Sequence, residues 1–287
     1  MTNRKWPIIT LLTDFGLRDA YAASMKGVIL SINPQCTLVD ITHQVNAHDI
    51  KEAAFILGQV YFNFPKGTIH LSVVDPGVGS AREPILIVTK NYFFVGPDNG
   101  LFTIVLRRES VKQAVVLTNQ KFFLPEISST FHGRDIFAPV AAHLSLGKKP
   151  ETFGRSIKSW CEISFPDPAM KQGNLIGQIV HVDSFGNLIS NIDRKNLLQF
   201  SRGYSFVVRI GRKTVQGLKK GYWEAVKKEP IALIGSGGFL EISVREGNAR
   251  KALKVKKGDP IIVDCGTRNE KLESHIENLK SKMGSAG

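Results

Sequence analysis

Apolar and polar positions along the 287-residue chain change their spacing partway through. In the first half, short apolar runs alternate with stretches of helical periodicity. IITLLTD (8–14) reads as a buried strand, DAYAASMKGVILSI as a helix entered through Asp19 and stopped near Pro34, and TLVDI as a second strand. HDIKEAAFILGQVYF places apolar residues at 50, 53, 54, 57 and 60, the stripe of an amphipathic helix. TIHLSVVD, PILIVT and YFFVG read as strands, and GRDIFAPVAAHLSLG as a helix interrupted at Pro139. Strand–helix alternation of this kind predicts an α/β N-terminal domain, residues 1–165, with a mostly parallel sheet covered by helices.

The texture then changes. Residues 166–173 lie in a Pro-, Gly- and polar-rich stretch that suits a linker. Beyond it LIGQIVHVD, YSFVVRI, PIALIGS, FLEISV and DPIIVD read as strands separated by Gly-rich turns. Short strands at this spacing predict a smaller all-β, barrel-like C-terminal domain over 174–266. The remaining 267–287 form a polar tail, with one surface helix expected in NEKLESHIENLKSKMG.

Composition narrows the class without naming a function. Hydrophobic residues at 43% and charged residues at 22% suit a soluble globular enzyme. MTNRKWPIITLLTDFG lacks the features of a signal peptide, and no run reaches the ~18 apolar residues of a membrane span. Cys36, Cys161 and Cys265 form no pair at motif spacing, which fits a reducing cytoplasm. The seven histidines form no HExxH, and His43 and His48 are five apart, so no metal is expected. The net charge of +13 is concentrated: residues 201–260 hold 14 Lys/Arg against 5 Asp/Glu. Such an excess, with aromatics interleaved in KKGYWEAVKK, could meet nucleic acid, but charge runs more often serve as solvated faces. A nucleic-acid partner is therefore not expected.

Candidate chemistry gathers at strand ends. Asp14 (TDFG), Asp40 (VDI), Asp75 (VVDPG) and Asp183 (VDSFGN) stand where ligands collect in open α/β sheets, although Asp-Gly and Asp-Pro also simply make turns. In VVDPGVGSAR, Asp75 and Arg82 bracket a loop whose Gly77 and Gly79 permit positive φ, so the two charges can fold together. No GK[ST] follows, which excludes a P-loop, and no GxGxxG opens a helix. STFHGRDIFAP sets His132 at an apparent helix start, where the dipole favours neutral imidazole, with Arg134 and Asp135 bracing the turn. In VDSFGNLISNI, Asp183, Phe185 and Asn187 alternate, and on an extended chain they share one face suited to a purine nucleoside. Ser236 and Asn248 stand in Gly-rich turns, either as ligands or as ordinary hairpin residues.

Together these blocks resemble the S-adenosyl-L-methionine (SAM) hydroxide adenosyltransferases, the adenosine-forming SAM hydrolases related to the SAM-dependent fluorinase and chlorinase. The likeness runs from TDFG…DAY…MKG through INP…DITH, FPKGTIHLSVVDPGVGSAR, PDNGL and TFHGRDIFAP to VDSFGN…SNI and GSGGFLEISVREGNA. It implies a homotrimer with active sites at subunit seams and SAM as substrate, with no cofactor. It further implies that Asp14 holds the ribose diol, that Asp19 and Asp183 meet the methionine ammonium, and that Ser236 lies at the methionine carboxylate. Phe185 and Asn187 would contact adenine, assisted by the backbone around Asn248 and Ala249. Asp75, Arg82 and His132 match the Asp-Arg-His set that marks water-using members and that halide-using relatives lack. Two positions depart from the fluorinase: His48 replaces an aromatic wall beside the sugar, and Gly237 replaces an arginine next to Ser236.

The reaction expected from that resemblance is SAM plus water giving adenosine and L-methionine. A halogenase, a basic nucleic-acid-binding protein and a SAM sensor without turnover are the alternatives.

Overall fold

The computed structural model describes residues 6–265. The polar tail expected over 267–287 lies outside the described residues. The chain divides between Phe165 and Pro166 into two compact units.

In the first unit the elements run β1 (Ile8–Thr13), α1 (Tyr21–Ile32), β2 (Thr37–Thr42), α2 (Ile50–Val60), β3 (Ile69–Val73), β4 (Pro84–Thr89), β5 (Phe93–Pro97), α3 (Thr103–Leu106), β6 (Val111–Leu117), α4 (Ala138–Ser145) and β7 (Gly154–Ile157). The strands form one sheet in the order β2-β1-β3-β5-β4-β6-β7. The pairs β2–β1, β1–β3 and β3–β5 are parallel, whereas β5–β4, β4–β6 and β6–β7 are antiparallel. The sheet is therefore mixed rather than mostly parallel. The difference comes from β4–β5, a hairpin that reverses direction, and from β6 and β7, which the apolar pattern does not predict. β6 opens with the half-buried Val111 and Gln113 on either side of the exposed Lys112, and becomes continuously buried from Ala114.

The sheet's side chains feed two apolar clusters. Ile9 and Leu11 of β1 join Met25 and Ile29 of α1 and the buried residues of α4 in one cluster. Leu12, Ile85 and Phe94 join Ala53 and Leu57 of α2 in the other. Every residue of β3 is buried, as expected for a central strand covered on both faces. Helix starts differ from expectation. The residue before α1 is Ala20, with no side-chain cap, so Asp19 does not open that helix. α2 is capped by Asp49, whose carboxylate accepts from the Glu52 N–H at 2.9 Å. The interruption at Pro139 coincides with a change of winding: Gly133–Phe137 form a π-helical turn, and the α-helical turns begin at Ala138. No helix among the described residues is long and apolar enough to cross a membrane.

The second unit contains β8 (Ala169–Lys171), β9 (Asn174–Val182), β10 (Leu188–Asp193), α5 (Arg194–Ser201), β11 (Val207–Ile210), β12 (Lys213–Gln216), β13 (Pro230–Ile234), β14 (Phe239–Val244), α6 (Ala249–Leu253) and β15 (Pro260–Asp264). Its sheet runs β12-β11-β15-β9-β10-β14-β13, all antiparallel, with β8 paired to β9. The segment read as a linker thus supplies a short strand. Just past β12, the Lys219 N–H donates to the Ala232 carbonyl of β13 at 2.8 Å, which nearly closes the sheet into a barrel. Burial alternates along β9 and β10, and the inward set, including Ile179, Leu188 and Ile192, fills the interior.

One buried polar residue makes the first unit sensitive to acid. His70, on β3, stacks on Phe94 with centroids 5.2 Å apart and lies among Tyr61, Phe64 and Tyr92. Its Nδ1 meets Thr10 Oγ1 at 2.8 Å. Burial drives its pKa down to about 3. The unfolded chain takes a proton near the ordinary value of ~6.5 while the folded chain does not, so stability falls with pH between those values. This site alone is expected to cost about 2 kcal/mol by pH 5 relative to pH 7. Denaturant titrations at both pH values should show a smaller loss in His70→Gln than in the native chain, and an equal loss would remove His70 as the cause.

Candidate active site

Asp14 follows the last residue of β1, and Asp75 lies two residues past the end of β3. These strands are parallel neighbours, with Thr13 opposite Val73, so both carboxylates leave the sheet at its carboxyl edge. The loop from Asp75 to Arg82 then folds back on itself. Val78 N–H donates to the Asp75 carbonyl at 3.2 Å, and Ser80 Oγ to the Gly77 carbonyl at 2.6 Å. Only one of the loop's two glycines takes positive φ, Gly79 at 76°. A Cβ at Gly79 would collide with the Ser129 carbonyl oxygen, so the loop can lie against the 128–132 segment only with glycine there.

The fold brings Asp75, Arg82 and His132 together. Arg82 engages Asp75 through two donors: Nε reaches Oδ1 at 2.8 Å, and Nη2 pairs with Oδ2. Nη2 also lies 3.0 Å from His132 Nδ1. The guanidinium covers the ring of Phe137 at 5.2 Å. The arginine and aspartate side chains are 9% and 5% exposed, so this ion pair is withdrawn from bulk water. Arg82 Nη1 is buried and has no acceptor among the described residues. A buried guanidinium donor of this kind fits a small oxygen ligand.

His132 stands just before the π-helical turn. Its pKa lies below the ordinary histidine value, first because burial disfavours the charged form and then because Arg82 is adjacent; Asp75 and Asp135 oppose the shift. Neutral imidazole is thereby favoured beside the fixed positive charge of Arg82. Arg134 and Asp135 brace the turn. The fully buried Asp135 carboxylate accepts from the Ser128 N–H at 2.8 Å and from Arg134 Nε at 2.6 Å.

Asp14 is partly buried, and its Oδ2 accepts from the His48 N–H at 2.9 Å. His48 holds that N–H in place with a left-handed backbone, φ 66°. Asp19 is exposed in the approach to α1.

In the second unit, Asp183, Phe185 and Asn187 occupy a tight turn between β9 and β10. The expected extended alternation is therefore not found. Gly186 at φ 86° reverses the chain, and Asp183 Oδ1 accepts from the N–H groups of Phe185 (3.0 Å) and Asn187 (2.8 Å). Asn187 Nδ2 donates to Asp183 Oδ2 at 2.8 Å. Phe185 is left 75% exposed while Asn187 is buried, so the two do not share a face. Asn248 packs against Gly186, caps α6 by accepting from the Lys251 N–H at 2.9 Å, and precedes the buried Ala249. The Arg250 N–H donates to the Gly186 carbonyl at 3.0 Å, which ties this segment to the turn. Ser236 is exposed in the turn closed by the Gly238 N–H on the Gly235 carbonyl at 2.9 Å.

The residue patterns do not single out several groups the fold places nearby. Phe137 lies under Arg82, with nothing but its apolar character to mark it. Thr13 and His43 bond to each other behind Asp14; the buried run LLT and the TH at the end of β2 are ordinary in sequence. Beside the Ser236 turn, the buried Glu241 accepts from Tyr222 Oη at 2.8 Å and from Ser243 Oγ at 2.6 Å. Burial and that carboxylate push the Tyr222 phenol up to about 12. The alternation in FLEISV would turn Glu241 to solvent with Phe239 and Ser243, so the sequence does not mark that acid as buried.

Two family descriptions match this chain: the SAM hydroxide adenosyltransferase N-terminal domain over residues 9–154 and the C-terminal domain over 177–262. The (R)-S-adenosyl-L-methionine hydrolase of Thermus thermophilus is 36% identical over 260 residues, 88% of this chain and 98% of that protein. The enzyme of the same name from Methanocaldococcus jannaschii is 36% identical, over 88% and 94% of the two chains. A fluorinase of Nocardia brasiliensis is 28% identical over 92% of this chain and 99% of its own. The crystal structure of an uncharacterized conserved protein from Thermotoga maritima superposes with a TM-score of 0.85 at 38% identity, covering 89% of this chain and 99% of that one. The chain belongs to the SAM hydroxide adenosyltransferase family.

Proposed function

We propose that this protein hydrolyses SAM to adenosine and L-methionine by attack of a bound water or hydroxide on C5′. The carrying observation is the buried Asp75–Arg82–His132 contact, in which Arg82 Nη1 keeps a donor for a small oxygen. Similarity to hydrolases over nearly the whole chain supports the same reading.

The chemistry asks for this arrangement. The sulfonium of SAM makes methionine a neutral thioether leaving group, so departure needs no general acid. The difficulty is the nucleophile, because hydroxide is scarce at neutral pH for a water of pKa ~15.7. Arg82 supplies positive potential and a hydrogen-bond donor, and a water-poor setting strengthens both. Neutral His132 or Asp75 accepts the proton. Holding the oxygen ~3 Å from C5′, opposite sulfur, replaces a bimolecular encounter with an oriented attack.

Substrate contacts follow the family pattern. Asp14 binds the ribose diol, Asp19 and Asp183 the ammonium, and Ser236 the methionine carboxylate. Phe185, Asn187 and the backbone at Asn248 and Ala249 hold adenine. The exposed ring of Phe185 suits stacking on a base. In this reading the active form is a homotrimer that joins one subunit's first unit to a neighbour's second, no cofactor takes part, and the cytoplasm is the compartment that supplies SAM.

Chromatographic identification of the nucleoside formed from SAM tests the reaction. Adenosine is expected, and 5′-chloro-5′-deoxyadenosine in chloride buffer would instead assign a halogenase. Asp75→Asn, Arg82→Ala and His132→Ala are each expected to lower kcat by about 10²-fold or more while KM for SAM moves by no more than about threefold. Wild-type rates in all three would overturn the assignment. With a lowered pKa, His132 is neutral at pH 7 and takes a proton only below the ordinary value of ~6.5. The rate should therefore fall on the acid side with a midpoint below that value, and the residual rate of His132→Asn should lack this limb.

A further inference from the structure

We propose that Thr13 and His43 are positioning residues that aim Asp14 at the nucleoside; this rests on the reading of Asp14 as the ribose ligand.

The two side chains lie inside the sheet edge immediately behind the TDFG turn. Thr13 is fully buried, and the His43 side chain is 1% exposed. Thr13 Oγ1 and His43 Nδ1 are 2.8 Å apart. On its far side, His43 Nε2 lies 3.1 Å from Asp40 Oδ1, close enough for attraction although not aligned as a hydrogen bond. Lys26 of α1 holds the other carboxylate oxygen, Oδ2, at 2.6 Å. A carboxylate facing Nε2 favours the tautomer with its proton there, leaving Nδ1 as an acceptor. Thr13 therefore donates its hydroxyl proton to Nδ1, and its oxygen accepts the Phe15 N–H at 3.3 Å. The chain of contacts runs from a surface lysine to the backbone beside Asp14.

The same two segments are joined through the main chain. The Gly16 N–H donates to the His43 carbonyl at 2.6 Å, and the Val45 N–H approaches the Thr13 carbonyl at 3.4 Å. The His48 N–H then reaches the Asp14 carboxylate itself at 2.9 Å. Residues 13–16 and 43–48 thus form one double loop, with Asp14 at its rim. The Thr13–His43 bond is its buried side-chain link between β1 and the end of β2. Breaking it leaves a buried imidazole nitrogen without its partner and frees the turn to shift. A carboxylate that holds the ribose in substrate and transition state alike acts on KM more than on kcat.

The test is a double-mutant cycle with SAM kinetics and direct calorimetry of adenosine binding. Thr13→Val preserves shape and removes the hydroxyl; it should raise KM for SAM and the adenosine Kd about tenfold with kcat within about threefold of native. Thr13→Ser should restore both constants to within about threefold. In an Asp14→Ala background, Thr13→Val should add nothing further, because the effect passes through Asp14. Where Thr13→Val does not fold, His43→Leu removes the same bond from the other side and carries the same expectations. Native constants in the valine or leucine variant, failure of serine to rescue, or an undiminished effect without Asp14 would each overturn the proposal. A native protein that binds adenosine but makes none from SAM would sink the hydrolase reading while the binding arm still decides this one. A native protein that does neither would end both.

Discussion

A guanidinium taken out of water organises the first unit's site. Arg82 is nine-tenths buried, and a charge so placed is tolerated only when its donors and its sign are answered locally. Asp75 answers with two oxygens and Phe137 with its ring face. The other features follow from this. The loop must close far enough for residues 75 and 82 to meet, so Gly79 presses on the Ser129 carbonyl and takes a left-handed backbone. The imidazole beside the pair is held toward neutrality by burial and by that same positive charge. A cation, an anion and a neutral base then stand within hydrogen-bond reach, with one guanidinium nitrogen that has no acceptor among the described residues.

The second unit deals with polar groups in another way. Its turn between β9 and β10 is built around a carboxylate that gathers backbone and amide N–H groups, so Asp183 is both the scaffold of the turn and a candidate ligand. That arrangement separates the neighbours it shapes. Phe185 is pushed into solvent, where an aromatic face is available for stacking, and Asn187 is drawn inward. Each unit thus carries its candidate residues on loops and turns at the ends of a strand framework.

The strands of the first unit show how far periodicity carries. PILIVT coincides with β4 to the residue, because a continuous apolar run bounded by turn residues has one comfortable conformation, and TLVDI, rich in β-branched residues, falls within β2. β6 escapes the same reasoning: its opening residues face water in part, and its place in the sheet depends on β4 lying antiparallel beside it. The direction of β4 relative to β5 rests on a short reversal between them, which apolar spacing does not encode. The alternation in VDSFGN misleads for a related reason. Gly186 and the Asp183 carboxylate favour a turn, and local hydrogen bonds override the period of two.

Taken alone, the amino-acid order settled an α/β first unit, a barrel-like second one (though not the helices α5 and α6 that it also carries), the loop that could unite Asp75 with Arg82, and the several blocks that mark the family. These are local properties: spacing of apolar residues, glycine where the backbone must turn, and motifs in a recognisable succession. Tertiary structure decided what depends on distant segments meeting. It set the mixed sheet, placed Phe137 and His132 against Arg82 from fifty or more residues away in the chain, and joined Thr13 to His43 behind Asp14. Burial, and with it the charge state of His132, exists only once those segments have packed, because desolvation is a property of the assembled neighbourhood and not of any single stretch.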